Sequence, residues 1–170
     1  MIKKIFILII FTTTFFTNAY CAGSGGSGSN DGDGNSNSSN SNYDKAVSFI
    51  NSAKKYERKD KKEKASKNYE KAQKLLIKSN KLKPNDADTL NYLGFTTRKL
   101  GDYENGEKYY LKGLAIEPNH KGINEYLGEL YVATNRLDLA KERLKVLESC
   151  NCKEFNDLKN VIEGIKKSKY

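Results

Sequence analysis

The only two prolines of the chain, Pro84 and Pro118, stand 34 residues apart, and the residues around them recur at the same interval. Adding 34 to Leu90, Leu93, Gly94, Thr97, Gly101, Gly106, Tyr110 and Pro118 lands on Asn124, Leu127, Gly128, Tyr131, Asn135, Ala140, Leu144 and Cys152; subtracting it from Gly106, Tyr110 and Pro118 lands on Ala72, Leu76 and Pro84. A repeat of this length is a supersecondary unit that cannot bury its apolar face alone and must stack on copies of itself. Within each unit the Leu and Tyr positions fall at helical spacing, and Gly94, Gly128, Gly106 and Ala140 are small where two antiparallel helices must approach. Leu100 to Tyr103 and Asn135 to Asp138 carry turn residues between helices. Each proline ends one helix and suits the start of the next.

This pattern resembles the tetratricopeptide repeat, in which Leu-Gly, an aromatic, Ala-x3-Phe and a closing Pro recur at this period. The match is carried by Leu93-Gly94, Gly106-x3-Tyr110 and Pro118, and again by Leu127-Gly128-x2-Tyr131 and Ala140-x3-Leu144. It departs from the family pattern at Leu90 and Asn124, where an aromatic is usual, and at Cys152, where Pro is. The resemblance implies an all-α fold: a right-handed α-α superhelix of about three helical hairpins plus a C-terminal capping helix.

The expected units are a divergent hairpin over 43–84, repeats over 85–118 and 119–152, and a cap over 153–170. In the first unit only the second helix is in phase. The apolar set of the first helix, Tyr43, Ala46, Val47, Phe49, Ile50 and Ala53, lies about ten residues early, which predicts a lengthened hairpin with a Lys-rich turn around Arg58 to Lys64. Phe155, Leu158, Val161, Ile162 and Ile165 recur at helical spacing with no partner helix after them, as a terminal cap would.

The front of the chain carries no repeat. Lys3 and Lys4, the apolar run Ile5 to Phe16 and the small-residue zone at Ala19 to Ala22 have the three parts of an export signal over 1–22. The run is short of the roughly 20 residues a membrane-spanning helix needs. Cys21 allows a second expectation, lipid attachment, although the bulky Tyr20 before it departs from the lipoprotein pattern. Residues 23–42 are 6 Gly, 7 Ser, 5 Asn and 2 Asp, with no apolar side chain to offset the entropy of ordering, and are expected to form a disordered linker. The expected location is the bacterial periplasm, with a lipid-anchored envelope protein or a secreted one as alternatives.

The formal charge of +9 is not spread evenly. Residues 43–84 hold 14 Lys and Arg against 5 Asp and Glu, while 85–170 hold 14 of each. The excess is Lys with a single Arg, Arg58, which lacks the bidentate fork suited to phosphate recognition, so a nucleic-acid partner is not expected. A solvated helical face or an anionic membrane surface fits better.

Chemistry-bearing residues are few. The lone His120 follows Pro118-Asn119 at a helix start and reads as a helix-start residue, since no nucleophile or acid lies at a motif spacing from it. Neither a Walker loop nor a zinc signature nor a nucleophile elbow occurs in the chain. Cys150 and Cys152 form a candidate disulfide at the turn into the cap, with a minor thiol redox role as a further alternative. No cofactor or metal is expected, and the chain is read as non-enzymatic.

In the family, the first helix of each hairpin lines a concave groove that binds a peptide or a partner helix. Carried over position by position, the groove residues are Asp88, Asn91, Tyr92, Phe95, Arg98 and Lys99, followed by Glu125, Glu129 and Val132. Chaperone-binding members hold a terminal carboxylate there with Lys, Arg and Asn, and Glu125 and Glu129 argue against that chemistry. The expected function is a scaffold for protein contacts in the cell envelope, with a membrane-surface or lipid-anchored assembly factor as the alternative.

Overall fold

A computed structural model describes residues 34–166. Among them are seven α-helices and no strand: α1 (Gly34–Glu57), α2 (Lys62–Leu82), α3 (Ala87–Lys99), α4 (Tyr103–Ile116), α5 (Lys121–Ala133), α6 (Leu137–Leu147) and α7 (Lys153–Ile162), with a 3-10 turn at Glu148–Cys150 before α7. Consecutive helices pair as hairpins α1/α2, α3/α4 and α5/α6, which stack in chain order, and α7 closes the stack against α5 and α6. No described helix is long and apolar enough to cross a membrane. The export-signal zone 1–22, Cys21 and the first part of the linker lie outside the described residues.

The 34-residue period is visible in the backbone chemistry. Asp86 and His120, one period apart, are the N-caps of α3 and α5: the Asp86 carboxylate accepts the Thr89 N–H at 3.1 Å, and His120 Nδ1 accepts the Ile123 N–H at 3.1 Å. Each satisfies an amide that the helix cannot pair internally. Gly101 and Asn135, also one period apart, both sit in the left-handed region at φ +95° and +63°. Asn replaces Gly there without breaking the turn, because Asn is one of the few side-chain-bearing residues that tolerates that conformation.

Two apolar cores run through the stack. Ala46, Ile50, Ala53, Ala65, Tyr69, Ala72, Leu76, Leu90, Leu93 and Phe95 form the first, and Ala87, Tyr110, Ile123, Leu127, Leu130, Tyr131 and Ala140 form the second. Tyr126 packs against both. The close approach inside α3/α4 explains Gly94, where a Cβ would come within 2.5 Å of the Tyr110 ring. At Gly128 the neighbour differs from the periodic expectation. There a Cβ would meet Leu158 of α7, while Leu144, the counterpart of Tyr110, is only half-buried. Leu is shorter than Tyr and leaves room over Gly128, and the cap fills it.

The first hairpin is longer than the others, at 24 and 21 residues against 13 and 14 for α3 and α4. Three boundaries correct the sequence reading. α1 begins at Gly34, inside the span assigned to the linker. The turn is confined to 58–61, and Lys62 already opens α2. The cap ends at Ile162, and Ile165 is 72% exposed beyond it, after Gly164 at φ +71° has turned the chain.

Candidate functional site

Most of the nine residues expected to line a groove are not open to a ligand. Phe95, Arg98 and Glu129 are at most 1% exposed, and Asn91 and Glu125 are buried. Tyr92, Lys99 and Val132 are half-buried, and Asp88 alone is exposed. Burial leaves only part of this set open to a ligand. A helical register fixes the direction of a side chain and leaves open what the neighbouring helices place in front of it.

What stands in front is largely α1. Its Lys54 lies over the Phe95 ring, with Nζ 4.6 Å from the centroid, and donates to the Tyr126 hydroxyl at 3.5 Å. Phe95 meets Tyr126 at 5.0 Å and Tyr69 edge-on at 5.7 Å between centroids. Beneath this layer, Arg98 Nη1 donates to the Tyr126 carbonyl at 2.8 Å, and Nη2 lies 3.8 Å from the Glu129 carboxylate. Both side chains of that ion pair are fully shielded from solvent. Burial lowers the Arg98 pKa from its ordinary value, while the surrounding Tyr110 and Glu129 act in the opposite sense. The guanidinium also faces the Phe95 and Tyr126 rings at 5.5 and 5.7 Å, so cation–π attraction replaces part of its lost hydration.

Lys99 is held by α1 as well. Its ammonium pairs with Glu57 at 2.6 Å, and the other Glu57 oxygen accepts the Tyr69 hydroxyl at 2.9 Å. Burial, followed by Glu57, raises the Tyr69 pKa, so the phenol stays protonated and keeps donating.

The remaining sites separate from this cluster. Tyr92 meets Tyr43 of α1 in a tilted ring contact, 5.8 Å between centroids, and burial, then Asp88, raises its pKa. Asn91 fills the space beside Gly122 of α5. Val132 packs into the second core. Asp88 accepts from His120 Nε2 at 3.1 Å; since Nδ1 receives the Ile123 amide, Nε2 carries the ring proton. His120 thus has an acidic partner after all, almost one period away, and the pair ties α3 to the start of α5.

An opening survives at the end of the groove where α1, α3, α5 and α7 meet. This cavity of about 380 Å³ is lined by Lys54, Glu57, Arg58, Phe95, Lys99, Glu125, Tyr126, Lys153 and Glu154. A second cavity of about 490 Å³ continues past Glu57 and Lys99 toward Tyr69 and Ala65. As lining residues, sequence reading missed Lys54, Glu57, Arg58, Tyr126, Lys153 and Glu154. Tyr126 carried a signal, because it is Tyr92 plus one period. The α1 residues carried none, since that helix is out of phase with the repeat, and α7 lies beyond it.

The lining offers cations, carboxylates and aromatic edges, the groups that hold a polar chain segment. Among the described residues no group of three His, Cys, Asp or Glu is placed to hold a metal. Cys150 and Cys152 are bonded to each other across Asn151, which sits at φ +44°, and their Cα atoms are 5.1 Å apart.

The comparisons agree with this architecture. A tetratricopeptide-repeat family model matches residues 87–120, the α3/α4 hairpin and the turn after it. The chain is 40% identical over 72 residues to the Sol locus transcriptional repressor of Clostridium acetobutylicum; the match takes in 42% of this chain and 22% of that protein, so the chain spans about a fifth of the length of this curated relative. Among solved structures, the first tetratricopeptide domain of Spaghetti (RPAP3), bound to the HSP90 peptide SRMEEVD, superposes with a TM-score of 0.50 at 19% identity, covering 72% of this chain and 94% of that one. Residues 87–120 are thus similar to a tetratricopeptide repeat, and they lie within an all-α stack of helical hairpins.

Proposed function

We propose that this chain is a non-enzymatic scaffold that holds a peptide or partner helix of another protein at the open end of its groove. The observation that carries the proposal is the four-helix mouth around Tyr126, where Lys54, Arg58, Lys99 and Lys153 alternate with Glu57, Glu125 and Glu154. Such a lining pairs with a ligand that is itself mixed in charge, and the aromatic floor supplies apolar area. The peptide bound by the structural neighbour lends support through the shared fold. Capture of a terminal carboxylate is not part of the proposal, because Glu125 lines the cavity.

The experiment places a photo-crosslinking side chain at Arg58 or Lys153, both exposed at the mouth, and at Lys141, exposed on α6. Discrete crosslinked partners are expected from the first two sites and absent from the third. Equal crosslinking from all three would overturn the groove as the binding site.

The proposed setting is the bacterial cell envelope. Its support is the signal pattern of residues 1–22 together with the Cys150–Cys152 disulfide, a bond that persists in oxidising compartments. Cell fractionation of the chain with and without residues 2–22 tests it, and recovery of both forms in the cytosol would end it.

A further inference from the structure

Six of the 14 Lys and Arg of residues 43–84 fall, in three dimensions, into one line of side chains on α2. On α2 the buried positions are Ala65, Tyr69, Ala72, Leu76 and Ser79. Lys64, Lys67, Lys71, Lys74, Lys78 and Lys81 step along the same helix at intervals of three and four, and all six are exposed. At 100° per residue the two sets fall on opposite faces. The lysines therefore form a straight stripe of roughly 25 Å on the outer side of the first hairpin. None of the six enters an ion pair among the described residues; Lys64 and Lys71 lie over Tyr56 and Phe49 of α1, at 5.9 and 5.5 Å from the ring centroids. The carboxylates of α2, Glu63 and Glu70, are exposed at one margin of the stripe and do not interrupt it.

We infer that this face docks on an anionic phospholipid bilayer. The surface is separate from the groove, and the inference does not depend on what the groove binds. Three features select a bilayer over a nucleic acid. The stripe contains no Arg, whose planar fork is the side chain suited to bidentate phosphate and base contacts. The one aromatic residue of α2, Tyr69, is buried, and the nearby Phe49 and Tyr56 rings of α1 are half-buried with Lys71 and Lys64 over them, so the stripe presents no open ring for a base to stack on. Ile77, 40% exposed beside Lys74 and Lys78, presents apolar area that a headgroup interface accommodates and a phosphate backbone does not. Lysine stems can lie along the interface while each ammonium reaches a separate headgroup.

The test is co-sedimentation of the full chain with phosphatidylglycerol-containing vesicles and with pure phosphatidylcholine vesicles at low salt. Taking the ratio of the two cancels any binding through apolar residues 5–16. Near an anionic surface each Lys is worth about fivefold in binding. The triple variant Lys67→Gln, Lys74→Gln, Lys78→Gln is expected to lower the anionic-to-neutral ratio about a hundredfold. Lys121→Gln, Lys141→Gln, Lys145→Gln removes the same charge from α5 and α6 and is expected to leave most of the preference in place. Gln preserves helix propensity, and unchanged circular dichroism in both variants shows that folding is not the cause. Equal losses in the two variants would overturn the proposal, as would the absence of any anionic preference in the unaltered chain. So would a short duplex DNA that displaces the chain from vesicles and binds through the same three lysines, which would assign the face to nucleic acid.

Discussion

Arg98 shows how far one residue's environment departs from its position in the repeat. Helical register aims it at the groove, yet it is fully buried among Phe95, Tyr126 and Glu129. A buried ion pair contributes little net stability relative to a well-packed apolar pair, because desolvating both charges offsets their attraction. Removing one partner is different, since it strands the other charge. Glu129→Leu alone is therefore expected to destabilise the chain by about 3–5 kcal/mol, and Arg98→Met with Glu129→Leu to cost much less. Urea denaturation of the two variants reads the contrast, and equal losses would show that Arg98 is held mainly by the Tyr126 carbonyl. The period foretold the location of both residues, since Phe95 and Glu129 are counterparts, as are Arg98 and Val132. It did not foretell their burial. Part of the cover comes from α1, whose Lys54 lies over the Phe95 ring that Arg98 faces; that helix is outside the period, and a single sequence carries no record of which helix lies across a groove.

At the scale of elements, the repeat positions translated into structure most faithfully where a local backbone requirement stood behind them. The caps at Asp86 and His120 and the left-handed turns at Gly101 and Asn135 are set by neighbouring atoms, and the 34-residue offset preserves them. The cap helix α7 was legible as a helix, while its docking site was not, because Leu158 takes the space over Gly128 that Leu144 would fill in a regular repeat. Two features could hold α7 in place: this contact and the disulfide at its start. Closing a loop of so few residues removes little entropy from the unfolded chain, about 1–2 kcal/mol. Truncating a fully buried Leu costs about 2–5 kcal/mol. Leu158→Ala is thus expected to lower the denaturation midpoint more than Cys150→Ser with Cys152→Ser does. A larger loss from the cysteine variant would make the disulfide the main tether of the cap.

At the scale of the whole molecule, stacked hairpins contact mainly their sequence neighbours, so stability is set locally and passed on through shared interfaces. Here the two cores meet chiefly at Tyr126, which packs on both, and at the bond from Arg98 to its carbonyl. A lesion at either end is expected to stay at that end. Ile50→Ala, in the first core, should speed amide hydrogen exchange in α1 and α2 while leaving α5 and α6 near their original protection; Leu130→Ala, in the second, should do the reverse. Tyr126→Ala removes the shared side chain and should lower protection in both halves, by more than its lost area alone predicts at either one. Exchange that rises uniformly in all three variants would show a single cooperative unit. In that case a partner held at the groove mouth would stabilise every helix equally, whereas local coupling confines its effect to α1, α3, α5 and α7, the helices that line the mouth.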